Sequence, residues 1–258
     1  MSYYELCNDV AKAIEEAVSD LVGKPEAGVT LRIGADGTPT ETIDEAAENA
    51  ALSVLEADGR SIRVVSEEIG EKIIGKKPEF TLVLDPIDGT FNAVNNIPFF
   101  CAPIAIAGSD LSSIRYGYVK NLINGDIYAA EKGKGAFLNK RKIHVSSRCE
   151  LSEVSVLSYS HRPHAFAINN HSVRRVRIFG CAALELCYIA SGVFDAFIDM
   201  RGMLRVTDIA AGKLIVEEAG GSVTDGKGRQ LFTPLDVRQR VNILASNGSV
   251  HEKLLELV

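Results

Sequence analysis

The run Phe80-Thr81-Leu82-Val83-Leu84 passes directly into Asp85-Pro86-Ile87-Asp88-Gly89-Thr90, and this junction restricts what the chain can build. The apolar run predicts a buried strand, and Pro86 cannot donate to a continuing ladder, so Asp85 and Asp88 stand where strand becomes turn. Two carboxylates there suit a hard divalent cation, which takes carboxylate and carbonyl oxygens and keeps positions for water and phosphate. Gly89 and Thr90 add backbone N–H groups and a hydroxyl for an anion, the more so if a helix starts behind them. A capped turn accounts for the same residues without any ion.

A second β-type run, Arg63-Val64-Val65-Ser66-Glu67-Glu68, also ends in acids, and a neighbouring strand or hairpin would bring Glu67 beside Asp85. A third acid, Asp208, heads a small-residue helix that ends at Gly220-Gly221. Local sequence makes Asp208 an N-cap; the same place on a tightly packing helix also suits a metal ligand.

In this order and at these separations, Glu67-Glu68, Asp85 to Thr90 and Asp208 to Gly221 resemble the three signatures of the inositol monophosphatase family of Mg²⁺-dependent, Li⁺-sensitive phosphatases. The segments Gly37 to Asp44, Phe91-Asn92-Ala93, Asn96-Ile97-Pro98, Arg175 to Gly180 and Asp199-Met200-Arg201 are most similar to the archaeal branch, which hydrolyses both fructose 1,6-bisphosphate and inositol 1-phosphate. Many members carry Trp before the third-signature Asp; this chain has Thr207 there and no Trp at all.

The resemblance implies an α/β (α+β) fold, a five-layer α-β-α-β-α sandwich with its site in a cleft. The two halves would be 1–148, with most metal ligands, and 149–258, with the substrate contacts and the last ligand. It implies that Glu67, Asp85, Asp88, Asp208 and the Ile87 carbonyl hold two or three Mg²⁺, with Mn²⁺ as a substitute. Such ions lower the pKa of a bound water, bind phosphoryl oxygens and stabilise a leaving alkoxide. Asp44 and Thr90, with Glu67, would serve the attacking water. Asp88 and the N–H groups of Gly89 and Thr90 would face the phosphate, while Arg177, Ala182, Asp199 and Arg201 would contact the rest of the substrate. Arg177 also reads as part of a solvated or subunit-facing edge, and Asp199 as a turn acid.

Composition agrees with a soluble enzyme. A net charge of −6 disfavours nucleic-acid binding, and it requires metal and local arginines to reverse the field inside the site. No stretch reaches the roughly 18 to 20 apolar residues of a membrane helix, and the start reads as an amphipathic helix, which predicts a cytoplasmic protein. Cys7, Cys101, Cys149, Cys181 and Cys187 show no paired spacing, so neither a zinc site nor a disulfide framework is expected. The five histidines, His144, His161, His164, His171 and His251, are polar-flanked and expected at the surface, with His161 to His164 in a loop near the substrate mouth. A homodimer is the expected assembly.

Helices are expected over residues 3–22, 42–55 and 182–191 and from Asp208. Strands are expected near 61–65, 80–84, 100–107, 113–121, 126–131, 142–146, 155–159, 175–179, 196–199 and 241–246, with a hairpin at Asn124-Gly125. The functional expectation is a sugar-phosphate or polyol-phosphate phosphatase. Alternatives are a 3′-phosphoadenosine 5′-phosphate or NADP phosphatase and a non-catalytic binder of phosphorylated ligands. A complete hydrolytic set argues against the binder, and haloacid-dehalogenase spacing is lacking.

Overall fold

The computed structural model describes residues 2–159 and 173–258. Its largest sheet has eight strands. In sheet order these are β10 (Arg141–Ile143), β9 (Gly135–Leu138), β8 (Ile127–Glu131), β7 (Tyr116–Asn121), β6 (Cys101–Ala107), β5 (Phe80–Leu84), β3 (Ile62–Ser66) and β4 (Gly70–Ile74). A second sheet has five, in the order β12 (Arg175–Arg177), β11 (Ser155–Tyr159), β13 (Ala196–Arg205), β15 (Arg240–Ser246) and β14 (Ser222–Thr224). Strands β1 (Thr30–Ile33) and β2 (Pro39–Glu41) form a separate ribbon.

Helices fill the spaces between. On one face of the large sheet lie α1 (Tyr3–Val18) and α2 (Thr42–Ala57); between the two sheets lie α4 (Ala182–Ala190) and α5 (Val206–Glu218). The outer face of the small sheet carries α6 (His251–Leu255), and α3 (Thr90–Val94) is a short helix at the cleft. The layering is the expected α-β-α-β-α sandwich. Because both faces of the large sheet are covered, β5 and β6 are buried at every position, and so they read in sequence as unbroken apolar runs rather than alternating ones.

Sequence and structure differ where the local signal is weak. Helix α1 stops at Val18 because the hydrogen bonds tighten to a three-residue spacing, Leu21 N donating to Val18 O at 2.8 Å. Strand β4, Gly-Glu-Lys-Ile-Ile, was not expected; it is an edge strand whose charged side chains keep further strands from adding. Strand β9 and its turn also escaped, because Asn139 and Lys140 both take positive φ (49° and 65°), a turn that Asn-Lys does not advertise. The Asn124-Gly125 hairpin between β7 and β8 is present. Strand β12 ends at Arg177, two residues short of expectation, since Phe179 N turns away to donate to Glu185.

The largest departure is β13. Expected over four residues, it runs for ten, with an irregularity between Asp199 and Leu204, and leads straight into α5. Arg201-Gly202-Met203 has no strand-like pattern, yet it carries the chain from the sheet to the cleft. His251 is a further correction: it is buried, with its ring nitrogens 2.9 Å from Ser246 Oγ and Thr224 Oγ1, whereas His144 is exposed as expected. The expected loop at His161 to His164, and His171, lie outside the described residues. Cys7, Cys101, Cys181 and Cys187 are buried and Cys149 is exposed; all five are free thiols.

Helix α5 approaches the large sheet closely enough that backbone meets backbone. A Cβ placed on Gly117 of β7 would lie 2.7 Å from the Ala211 carbonyl oxygen. Gly117→Ala is therefore expected to destabilise the protein by about 1–3 kcal/mol, the usual cost of overpacking. A urea midpoint unchanged from the native chain would show that α5 can move away at no cost.

Candidate active site

The register of the large sheet brings the first two acids together. Strands β3 and β5 are parallel neighbours with Ser66 opposite Leu84, so Glu67 and Asp85 leave the sheet side by side at its edge. Asp208 reaches them from the start of α5. It is the third residue of that helix rather than its N-cap, as local sequence suggested; Arg205 occupies the cap, and its N–H donates to Asp208 Oδ2 at 2.8 Å. Carboxylate oxygens of Glu67, Asp85 and Asp208 lie within 4.8 Å of one another, and all three residues are buried. Asp85 Oδ1 accepts from Ile87 N (3.0 Å), while Oδ2 is buried with no hydrogen-bond partner among the described residues. An orphaned carboxylate oxygen inside a cluster of hard oxygen donors fits a divalent cation of the Mg²⁺ type.

Asp88 lies near the trio, close enough for the Asp85 and Asp208 charges to be felt. Its backbone bridges to Cys101, and its Oδ2 accepts from Ala183 N at 2.6 Å in the first turn of α4. Gly89 takes φ 95°, and a Cβ there would press on Phe100 and the Phe99 carbonyl, so the chain can turn here into α3 only with glycine. Thr90, the first residue of α3, points its hydroxyl at Asp44 Oδ1 (2.9 Å) and the Ile87 carbonyl (3.1 Å). Asp44 is fixed in turn by the capping box of α2, where Glu41 N donates to its other oxygen at 3.1 Å.

These groups open onto a cleft of about 450 Å³ whose lining includes Asp88, Gly89, Thr90, Ala182, Arg201 and Asp208. Arg201 forks onto Asp199, Nη2 to Oδ2 at 2.6 Å and Nε to Oδ1 at 3.0 Å, and its guanidinium lies 4.5 Å from the centre of the Tyr159 ring. Tyr159 is anchored by donating its hydroxyl to Glu185 (2.6 Å). Two substrate contacts suggested by the resemblance are placed elsewhere. Asp199 is 0% exposed, in the interior of β13 with its oxygens on Arg201, and is not part of the cleft lining. Arg177 is exposed on β12, donates to its neighbour's carbonyl, Val176 O (2.8 Å), and is not part of the cleft lining.

Sequence reasoning missed the cation at the centre. Arg205 donates Nε to Asp208 Oδ1 (2.9 Å) and Nη1 to Asp36 Oδ2 (2.8 Å), and it also pairs with Glu67 Oε1. The three-residue spacing from Arg205 to Asp208 on a helix start was the available signal. Also unread were Glu48, which accepts from Ser66 Oγ at 2.6 Å behind Glu67, and Glu68, which accepts from Thr40.

Burial sets the protonation of this site. It pushes Glu67 and Asp85 well above the usual carboxylate range, with neighbouring acids adding to the effect. Asp88 rises to about 7 through burial and then the nearby Asp208 charge, Asp44 to about 7 through burial and then Glu68, and Glu48 to about 7 mainly through burial. Ionised together, such acids repel one another unless a cation is shared.

Comparison with known proteins agrees with this geometry. The sequence model described as the inositol monophosphatase family matches residues 3–258. The chain belongs to the inositol monophosphatase family. It is thus a phosphoric monoester hydrolase of a metal-dependent kind. A relative from Methanothermobacter thermautotrophicus, named fructose-1,6-bisphosphatase/inositol-1-monophosphatase, is 44% identical, the match covering 96% of this chain and 93% of that protein. A Methanococcus maripaludis protein named bifunctional NADP phosphatase/NAD kinase is 41% identical over 99% of this chain, which spans 49% of that longer protein. Among solved structures, the MJ0109 gene product, described as an inositol monophosphatase-fructose 1,6 bisphosphatase, superposes with a TM-score of 0.91 at 34% identity, covering all of both chains.

The raised acids have a consequence for stability. In metal-free protein, Asp44, Glu48 and Asp88 hold protons more tightly folded than unfolded, so their contribution is fully present below about pH 4 and is lost as pH rises through about 7. A bound cation favours the ionised cluster and opposes this loss. The gap in Tm between Mg²⁺-loaded and EDTA-treated protein is expected to widen from pH 5 to pH 8, read by calorimetry at both pH values; a constant gap would show that these acids are not linked to the metal.

Proposed function

We propose that this protein is a Mg²⁺-dependent phosphatase that converts fructose 1,6-bisphosphate to fructose 6-phosphate and inositol 1-phosphate to inositol. The observation that supports it best is one cleft lined by Thr90, Arg201 and Asp208, with Glu67 and Asp85 clustered on Asp208 and the Thr90 hydroxyl held by Asp44. Glu67, Asp85, Asp88, Asp208 and the Ile87 carbonyl would hold two or three ions. Bound there, Mg²⁺ supplies acidification of water and neutralisation of phosphoryl charge.

The chain's own groups do the rest. Thr90 orients the attacking water and passes its proton toward Asp44, whose pKa of about 7 suits a proton acceptor near neutral pH. Backbone N–H groups of Gly89 and Thr90 hold the phosphoryl oxygens in line with that water. Ala182, at the head of α4, borders the sugar. Arg201, held rigid by Asp199 and Tyr159, meets a second phosphate, for which a guanidinium fork is the better cation. We also propose that the division at 148/149 separates the metal-rich half from the substrate half, that the protein is a cytoplasmic homodimer, and that Li⁺ inhibits it. Among the described residues no helix is long and apolar enough to cross a membrane. Sedimentation of the purified protein checks the dimer.

A second reading has one observation in its favour. Phe91 and Met203, both in the cleft lining, are 72% and 57% exposed, and such surfaces suit a nucleotide base better than a polyol. NADP or 3′-phosphoadenosine 5′-phosphate would then be the preferred ester.

Phosphate release from these four compounds, with Mg²⁺ and with EDTA, separates the readings. Metal-dependent release fastest on fructose 1,6-bisphosphate and inositol 1-phosphate is expected; release fastest on NADP would favour the second, and none at all would overturn both. Asp88→Asn is expected to lower kcat by at least about 100-fold while the protein stays folded, since volume is kept and a charged ligand is lost. Unfolding by circular dichroism would instead make Asp88 structural. Arg201→Lys keeps a partner for buried Asp199 but loses the fork. It should lower kcat/KM for the bisphosphate by about 10-fold or more and for inositol 1-phosphate far less; equal losses would remove Arg201 from phosphate recognition.

A further inference from the structure

Arg205 stands among the acids read as metal ligands. Its backbone N–H and its Nε take up both Asp208 oxygens, at 2.8 and 2.9 Å, and Nη1 pairs with Glu67. Two of the three acids in the tight trio are thus already neutralised by a charge belonging to the chain. Glu67 and Asp208 cannot gather fully around a divalent ion while a guanidinium keeps these bonds, because like charges so close in a buried site repel strongly.

The same guanidinium has another acceptor beside it. Asp36 Oδ2 lies 2.8 Å from Arg205 Nη1, and the Asp36 side chain is fully buried. Thr38 fixes it, donating its N–H and its hydroxyl to Oδ1, each at 2.8 Å. Arg240 stands 3.7 Å away. Asp36 is therefore an acid held ready, outside the metal trio, for an arginine that leaves it.

We propose that Arg205 is a built-in competitor of the divalent cation, shared between the metal ligands Glu67 and Asp208 on one side and Asp36 on the other. Metal entry shifts it toward Asp36, and metal loss lets it return to the ligands. Arg205 and Asp208 come from α5 and its cap, while Asp36 and Glu67 come from the first half of the chain, so the shift also links metal occupancy to the contact between the halves. The inference rests on the reading of Glu67 and Asp208 as metal ligands, and it makes Arg205 a positioning residue.

Calorimetric titration of Mn²⁺ into the metal-stripped full chain tests it, because opposite effects are expected from two neighbouring substitutions. Arg205→Gln should bind Mn²⁺ at least about 10-fold more tightly than the native chain and lose Tm without metal, with Mn²⁺ restoring more Tm than in the native chain. Asp36→Asn removes the alternative acceptor, leaves the guanidinium on the metal ligands, and should bind Mn²⁺ several-fold more weakly. Arg205→Lys, which keeps the charge but not the fork, should fall between Arg205→Gln and the native protein. If Arg205→Gln does not fold, the Asp36→Asn and Arg205→Lys affinities still decide. Binding by Arg205→Gln no tighter than native, or by Asp36→Asn as tight as native, overturns the inference while the metal site stands. Absence of Mn²⁺ binding by the native chain overturns both.

Discussion

Three carboxylates whose oxygens lie within 4.8 Å of one another in a buried site set the terms for this protein. Fully ionised, each pair at such a distance repels by on the order of 3–4 kcal/mol at the effective dielectric of a protein site. Protons, arginine and divalent metal are the three ways of relieving that repulsion, and each leaves a trace here. Burial raises the proton affinity of Glu67 and Asp85. Arg205 supplies a permanent positive charge. The Asp85 oxygen that has no hydrogen-bond partner among the described residues is the place left for a metal.

The fold tolerates the cluster because it is assembled from rigid ends of elements. A parallel β3/β5 register sets two acids side by side, and the first turn of α5 aims the third at them. Behind them lies a shell of paired polar groups: Ser66 on Glu48, Thr40 on Glu68, Thr90 on Asp44. Buried pairs of this kind hold side-chain orientation, although Glu48 Oε1 has no hydrogen-bond partner among the described residues. The opposite wall is built the same way. Asp199 and Tyr159 hold Arg201, and Glu185 holds Tyr159. Asn92 of α3 donates to the carbonyls of both Phe99 and Phe179 (2.7 Å each), which ties α3 to the segments that precede β6 and α4.

The mixed α/β class and the acids at the strand ends were legible from local sequence for physical reasons, while the five-layer arrangement came with the resemblance. Phe80 to Leu84 had to be a covered strand, since five consecutive buried positions leave no polar face, and Pro86 had to end it. Asp85, Asp88 and Glu67 followed from lying at the ends of such runs and Asp208 from heading a small-residue helix, and the Thr90 and Asp44 pairing came with the resemblance. Strands with no apolar run, such as β4 and the second half of β13, were not legible, because their pairing is decided by neighbours in the sheet.

What only the tertiary structure decided is which charges meet. Arg205 lies 138 residues from Glu67 and 169 from Asp36 in the chain, and Tyr159 lies 26 from Glu185; no periodicity spans such separations. Asp199 shows the same limit from the other side. The resemblance suggested a sugar contact, and the fold buries Asp199 in β13 with its oxygens on Arg201. Sequence by itself determined the elements and the acids at their ends, since hydrophobic spacing and chain-breaking residues act over a few positions. The partners of those acids were set by packing, which acts over the whole chain.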